Sequence, residues 1–183
     1  TPKTSSAASD VYKRQFKISD GSRRFFVKVS DAESLDSFEA EQSGLKELVQ
    51  CGLFIIPAPI CSGIAEDKSY LVLEHISMQP GDKNSWLRMG QLLARMHQNW
   101  SSNEYGSHRD NYIGKTSQPN PNLQDWPHFY SEHRIGHLLH QLVDKGINLF
   151  AVDKTINLVA NRLAGHHPKA CLLYTSDAAD EVL

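Results

Sequence analysis

The chain has 183 residues, 40% of them hydrophobic and 22% charged, with a formal net charge of −2. That length buries one real core, and the near balance of 19 basic against 21 acidic residues argues against a nucleic-acid partner. No apolar run approaches the ~20 residues that span a bilayer. The start lacks a signal-peptide stretch and three cysteines make no disulfide framework, so no membrane partner and a cytoplasmic location are expected.

The segment at 5–15, SSAASDVYKRQ, comes first in chain order, and it is tied to CLLYTSDAADE at 171–181. Codons that encode the first, reverse-complemented, encode almost all of the second, and Pro2-Lys3-Thr4 extends the match to Glu181-Val182-Leu183. One DNA sequence read in opposite directions explains both ends, and it resembles a transposase-type sequencing adaptor. The expectation is that 1–15 and 171–183 are adaptor-derived and that native sequence runs from Phe16 to Ala170. The cysteines left in that stretch, Cys51 and Cys61, sit in apolar surroundings and read as inert thiols.

Residues 16–18 and 24–29 (RFFVKV) are rich in aromatic and β-branched types and flank the turn signal Ser19-Asp20-Gly21-Ser22, which predicts a hairpin. A helix is expected over 33–50, with Phe38, Leu45 and Leu48 at helical spacing and Gly52 as its C-terminal stop. A Pro-punctuated strand at 54–62, a turn at Glu66-Asp67-Lys68 and a buried strand at Tyr70-Leu71-Val72-Leu73 follow. From residue 81 the pattern turns helical: 84–99, with Met89, Leu92, Leu93 and Met96 on one face, then 126–145 and 153–165. Between them, 100–124 reads as an ordered surface loop. The fold class is α+β: a small antiparallel sheet carrying one helix over 16–80, then a helical region over 81–170.

Lys28 stands inside an apolar strand, on the face shared by Arg24 and Phe26. An ammonium there needs a partner or a phosphate; the alternative is a snorkelling lysine whose head stays in water. Glu41 interrupts the apolar stripe of Phe38, Leu45 and Leu48, as a carboxylate paired with a buried charge would; the alternative is a solvated stripe edge. A strand lysine followed by a helix glutamate is the arrangement by which kinases hold the α- and β-phosphates of a nucleotide. Glu74, His75 and Ile76, at the end of the last strand, could then present backbone groups to an adenine edge, or could simply close the sheet. His133, His137 and His140 share a helix face but lack the frame of an H-E-x-x-H zinc site.

The succession FFVKV, SFEAE, the strand before Glu74-His75 and MGQLLARMH resembles the landmarks of the fructosamine kinase family. The segment YGSHRDNYIGKTSQPNPNLQDWPHFYSEHRIGHLL is similar to that family's signature: an aromatic-Gly, Asp-Asn-x-Ile-Gly, Gln-x-Asn, Trp-x-x-Phe-aromatic and Glu-x-Arg-Ile. The resemblance covers essentially all of 16–170. It implies a protein-kinase-like fold and transfer of the γ-phosphoryl group of ATP, with Mg²⁺, to a sugar hydroxyl of ketosamines or glycated protein amines, a deglycation step. Carried over, Lys28 would bind the α- and β-phosphates, Glu41 would pair with it, and Glu74, His75 and Ile76 would form the hinge between an ATP-binding lobe (16–80) and a partial helical lobe (81–170). Asp110, Asn111, Gln118, Asn120, Trp126, Glu132 and Arg134 belong to the signature, and ordering a long polar loop is the role first expected of them.

The family's glycine-rich loop is expected before Phe16, and its His-Gly-Asp catalytic loop near residue 174, where this chain reads Tyr174-Thr175-Ser176. The chain as it stands is therefore expected to be inactive, with its metal ligands elsewhere. A phosphotransferase for choline or an aminoglycoside, and a non-catalytic pseudokinase-like binding module, are the alternatives.

Overall fold

The computed structural model describes residues 14–99, 102–148, 151–168 and 170. The expected adaptor segments lie outside these residues, apart from Arg14 and Gln15, and so does position 174. The chain divides into two compact units, one up to Asp82 and one from Lys83.

The first unit is a four-stranded antiparallel sheet with one helix. Strands β1 (Arg14–Ser19) and β2 (Arg24–Asp31) form the expected hairpin. Its turn is held by the Asp20 carboxylate, whose Oδ1 accepts the Ser22 and Arg23 amides at 3.0 and 2.7 Å, an Asx-type turn. Those donors hold the Asp20 carboxyl well below the usual carboxylate range. Helix α1 (Leu35–Gln50) follows a short 3₁₀ turn. It ends at Cys51, with Gly52 beyond it at φ 63°, the left-handed position that favours glycine.

Strand β3 runs Pro59–Ala65 rather than 54–62. Pro57 and Pro59 each lack the N–H that a ladder requires, so the strand begins at the second proline, and the carbonyl of Ala58 accepts the Glu74 amide instead. Strand β4 (Lys68–Glu74) pairs with both β2 and β3, giving the order β1-β2-β4-β3. The register sets Phe26 opposite Leu73 and Lys28 opposite Leu71, all on the face covered by α1. Phe38, Leu71 and Leu73 form the core there, with Phe26 and Leu45 packed against them. On the other face Gly63 lies under its partner Tyr70, where an added Cβ would stand 2.8 Å from the phenol oxygen.

The second unit opens with α2 (Lys83–Asn99), which buries Met96. The stretch read as irregular loop contains a hairpin, β5 (Asn111–Ile113) and β6 (Thr116–Gln118), turning at Gly114-Lys115. Three-residue strands are too short to register as a period-two pattern. The helix expected over 126–145 is α3 (Trp126–Tyr130), a π-helical segment (Ser131–Gly136) and α4 (His137–Asp144) in succession. Helix α5 (Val152–Leu163) packs on the π segment, with Ile156 at the place a Cβ of Gly136 would need. Tyr105, Trp126, Phe129 and Ala170 are the core. Among the described residues no helix is long and apolar enough to cross a membrane.

Candidate nucleotide site and the loop network

Helix α1 lies over the sheet because Phe38 and Leu45 enter the core. Glu41, three residues after the first and four before the second, must then face the sheet as well. Its Oε1 accepts a hydrogen bond from Lys28 Nζ at 2.6 Å. Both side chains are half-buried, at 19% and 26% exposure. The geometry selects the paired reading of each residue over the solvated one. An ammonium carries three N–H donors, and the carboxylate takes one of them, so the residue fits a role as a phosphate ligand.

Glu74 and His75 close β4 at the far end of the same sheet. The Glu74 amide donates to Ala58 O at 2.9 Å and the His75 amide to Arg24 O at 3.2 Å. Two of the three backbone donors at 74–76 are thus used inside the unit. A cavity of about 510 Å³ opens beside them, lined by Phe25, Ala58, Ile60, Glu74 and His75 among others. Phe25 and Glu74 belong to the sheet face opposite Lys28, so this cavity is not the space beside the Lys28–Glu41 pair. Among the described residues no group of three His, Cys, Asp or Glu side chains gathers to hold a metal, and none is assigned to Mg²⁺.

Three signature residues of the second unit, Asp110, Asn111 and Arg134, assemble around a fourth, Asn120, which is 2% exposed. Its amide donates to Asp110 Oδ1 at 2.7 Å. Its side-chain NH₂ donates to Arg109 O at 3.2 Å and to Asn111 Oδ1 at 3.0 Å. Its Oδ1 accepts from Arg134, whose guanidinium also donates to Pro119 O at 2.5 Å and to His133 O at 3.0 Å, and lies 4.5 Å over the Phe129 ring. Burial pulls the Arg134 pKa down to about 10, against the pull of Asp110. Gln118 is buried nearby, and Trp126 stacks with Tyr105, Phe129 and Tyr130. Glu132 sits beside His133. The sequence named these residues without showing that four of them close on one another.

Of the three aligned histidines, His137 places Nε2 2.7 Å from Ser117 O, to which its N–H donates in the Nε2–H tautomer. His133 has its pKa pushed below 6.5 by burial, and the neighbouring His128 works in the same direction. The unfolded chain therefore takes up a proton near pH 6.5 while the folded chain resists until lower pH, so stability falls as pH drops through that window. Urea unfolding at about pH 7.5 and about pH 5.5 should show a smaller acid loss in His133→Gln than in the parent. Equal losses would contradict it.

The antiparallel sheet carrying α1 and the Lys28–Glu41 pair, followed by helices, is an α+β arrangement of the protein-kinase-like class. A family model for fructosamine kinase matches residues 2–176. A protein of Vibrio parahaemolyticus named a probable ketoamine kinase is 34% identical over 175 residues, covering 95% of this chain and 60% of that protein. One from Synechocystis, of the same name, is 42% identical over 120 residues, 66% of this chain and 41% of its own length. A Haemophilus somnus crystal structure, provisionally named a fructosamine-3-kinase, superposes with a TM-score of 0.77 at 28% identity, over 86% of this chain and 53% of that one. The chain belongs to the fructosamine kinase family. It spans about half the length of the relatives it matches.

Proposed function

We propose that the complete protein is an ATP-dependent kinase that phosphorylates a sugar hydroxyl of ketosamines. The Lys28–Glu41 ion pair is the observation that carries this reading. Bound ATP, with Mg²⁺, supplies the transferable γ-phosphoryl group. In this reading Lys28 lends its remaining N–H donors to the α- and β-phosphate oxygens, and Glu41 holds the ammonium in place for them. Lys28 pairs with Leu71, three residues before Glu74, so the lysine and the end of β4 lie roughly 10 Å apart along the strand. That separation suits a nucleotide whose base meets Glu74, His75 and Ile76 while its phosphates meet Lys28. Positioning and charge stabilisation are most of what a kinase contributes to phosphoryl transfer. The family match and the signature segment at 105–139 support this acceptor class. The sheet and α1 form the nucleotide half, and the catalytic and Mg²⁺-binding carboxylates belong to sequence outside the described residues.

The test is phosphoryl transfer by the complete protein, amplified from a source never exposed to adaptor DNA. It should convert a fructose–lysine ketosamine to a phosphate ester with ATP, and leave choline and aminoglycosides unmodified. Transfer to choline or an aminoglycoside in place of the ketosamine would overturn the assignment. Nucleotide binding without transfer to any acceptor would favour the pseudokinase reading.

A further inference from the structure

The loop from Gly106 to Asn122 is long and polar, yet it is locked. Tyr105 and Leu123 close its neck through two backbone hydrogen bonds of 2.7 and 3.0 Å. Gly106, at φ 107°, lets Pro121 O come within 2.2 Å of where a Cβ would stand, so no other residue fits there. Inside, the loop is pinned by a desolvated guanidinium and a buried asparagine. Burying a charge to order a loop is costly. The π-helical segment that delivers His133 and Arg134 is a second irregularity in the same place, and such segments gather at functional sites.

The two arms of the loop and His133 line a shallow, open groove of about 440 Å³, a volume that admits a small molecule lying across it. Its polar lining includes His108, Arg109, Asp110, Asn122 and His133. Arg109 and Asp110 offset one another in formal charge. The guanidinium of Arg134 is turned onto Pro119 and Asn120. A phosphate would demand a concentration of cations that the wall lacks. Donors and acceptors mixed at close spacing suit hydroxyl groups, each of which both donates and accepts.

We propose that this groove is a binding subsite for a neutral polyhydroxylated chain, and that the open sugar portion of a ketosamine is the ligand it takes. The choice of ligand rests on the function proposed above; the polyol chemistry rests on the lining alone. Asp110 and Asn122 would bind the hydroxyls, and His133 would complete the wall.

Two measurements separate this subsite from that function. Titrating a fructose–lysine ketosamine, and separately a six-carbon sugar alcohol, into this 183-residue chain should shift amide signals of 107–110, 119–122 and His133 in ¹H–¹⁵N NMR spectra. Asn122→Ala and His133→Gln, neither of which removes a member of the Asn120–Arg134 pair, should weaken that binding about tenfold. In the complete kinase the same variants should raise KM for the ketosamine about tenfold while KM for ATP, and the thermal midpoint at about pH 7.5, stay unchanged. Shifts that cluster elsewhere, no shifts, or an unaltered ketosamine KM in an active kinase would overturn the subsite and leave the kinase reading intact. Binding here by a complete protein that phosphorylates no ketosamine would support the subsite and overturn the function.

Discussion

Arg134→Met is expected to destabilise the second unit by about 1.5–3 kcal/mol, the range for losing hydrogen bonds from a charged, part-buried donor. The methionine keeps apolar contact with Phe129, over which the guanidinium lies, so the loss comes from polar groups left behind. Asn120 Oδ1 and Pro119 O lose their donor, and a buried acceptor without a partner costs about 1–3 kcal/mol. Arg134→Lys should recover little, because a compact ammonium cannot span the two acceptors that the planar fork reaches together. Urea unfolding followed by near-ultraviolet circular dichroism reports on the aromatic cluster of Tyr105, Trp126 and Phe129 directly. Lys154→Met on the exposed side of α5 serves as the control and should stay within about 0.5 kcal/mol of the parent. A loss below about 1 kcal/mol in Arg134→Met would mean that the loop is held by its neck and backbone alone.

Why this network was only half legible in the sequence follows from the distances it crosses. The strand lysine and the helix glutamate are thirteen residues apart on regular elements, so alternation and helical spacing are enough to aim them at each other. Asp110, Asn120 and Arg134 sit in a loop and a π-helical segment, where no period relates position to direction. The spacing identified the residues as a signature but could not say that both Asn120 side-chain N–H groups and its Oδ1 would find partners within the unit. The same limit explains β3 and β5–β6. Proline counts as a strand breaker, yet which of two prolines begins a strand depends on the partner strand's register. Three-residue strands carry too little pattern to announce themselves, and Gly114-Lys115 was their one local signal. By contrast α1, with its apolar stripe and Gly52, and β4, with its continuous apolar run, were legible because burial and periodicity agree. The hinge residues show a subtler gap. Their place at the end of β4 was evident, but not that the Glu74 and His75 amides would be bound to Ala58 and Arg24.

Lys28→Met in the complete protein is expected to lower kcat/KM for ketosamine phosphorylation by about 10²–10³-fold, the range seen when one preorganised donor to a charged reacting group is removed. The accompanying loss of stability should be small. Lys28 and Glu41 are each partly exposed, and a partly solvated ion pair contributes at most about 1 kcal/mol. That contrast distinguishes a functional lysine from a structural one: a purely structural pair would move the thermal midpoint and leave turnover alone. Glu41→Gln retains an acceptor oxygen for the Lys28 ammonium but removes the charge, so activity should fall less, by about tenfold. With Lys28 already gone, Glu41→Gln should change activity little further, since the glutamate acts through the lysine and the two effects do not add. Lys28→Arg tests geometry at constant charge. The guanidinium is longer and planar, and it should fork onto Glu41 at the expense of the phosphates, giving a variant that is folded, paired and slow. If Lys28→Met instead turned over at the parent rate with a lowered midpoint, the ion pair would be a strut between α1 and the sheet, and the nucleotide would have to be held by other residues.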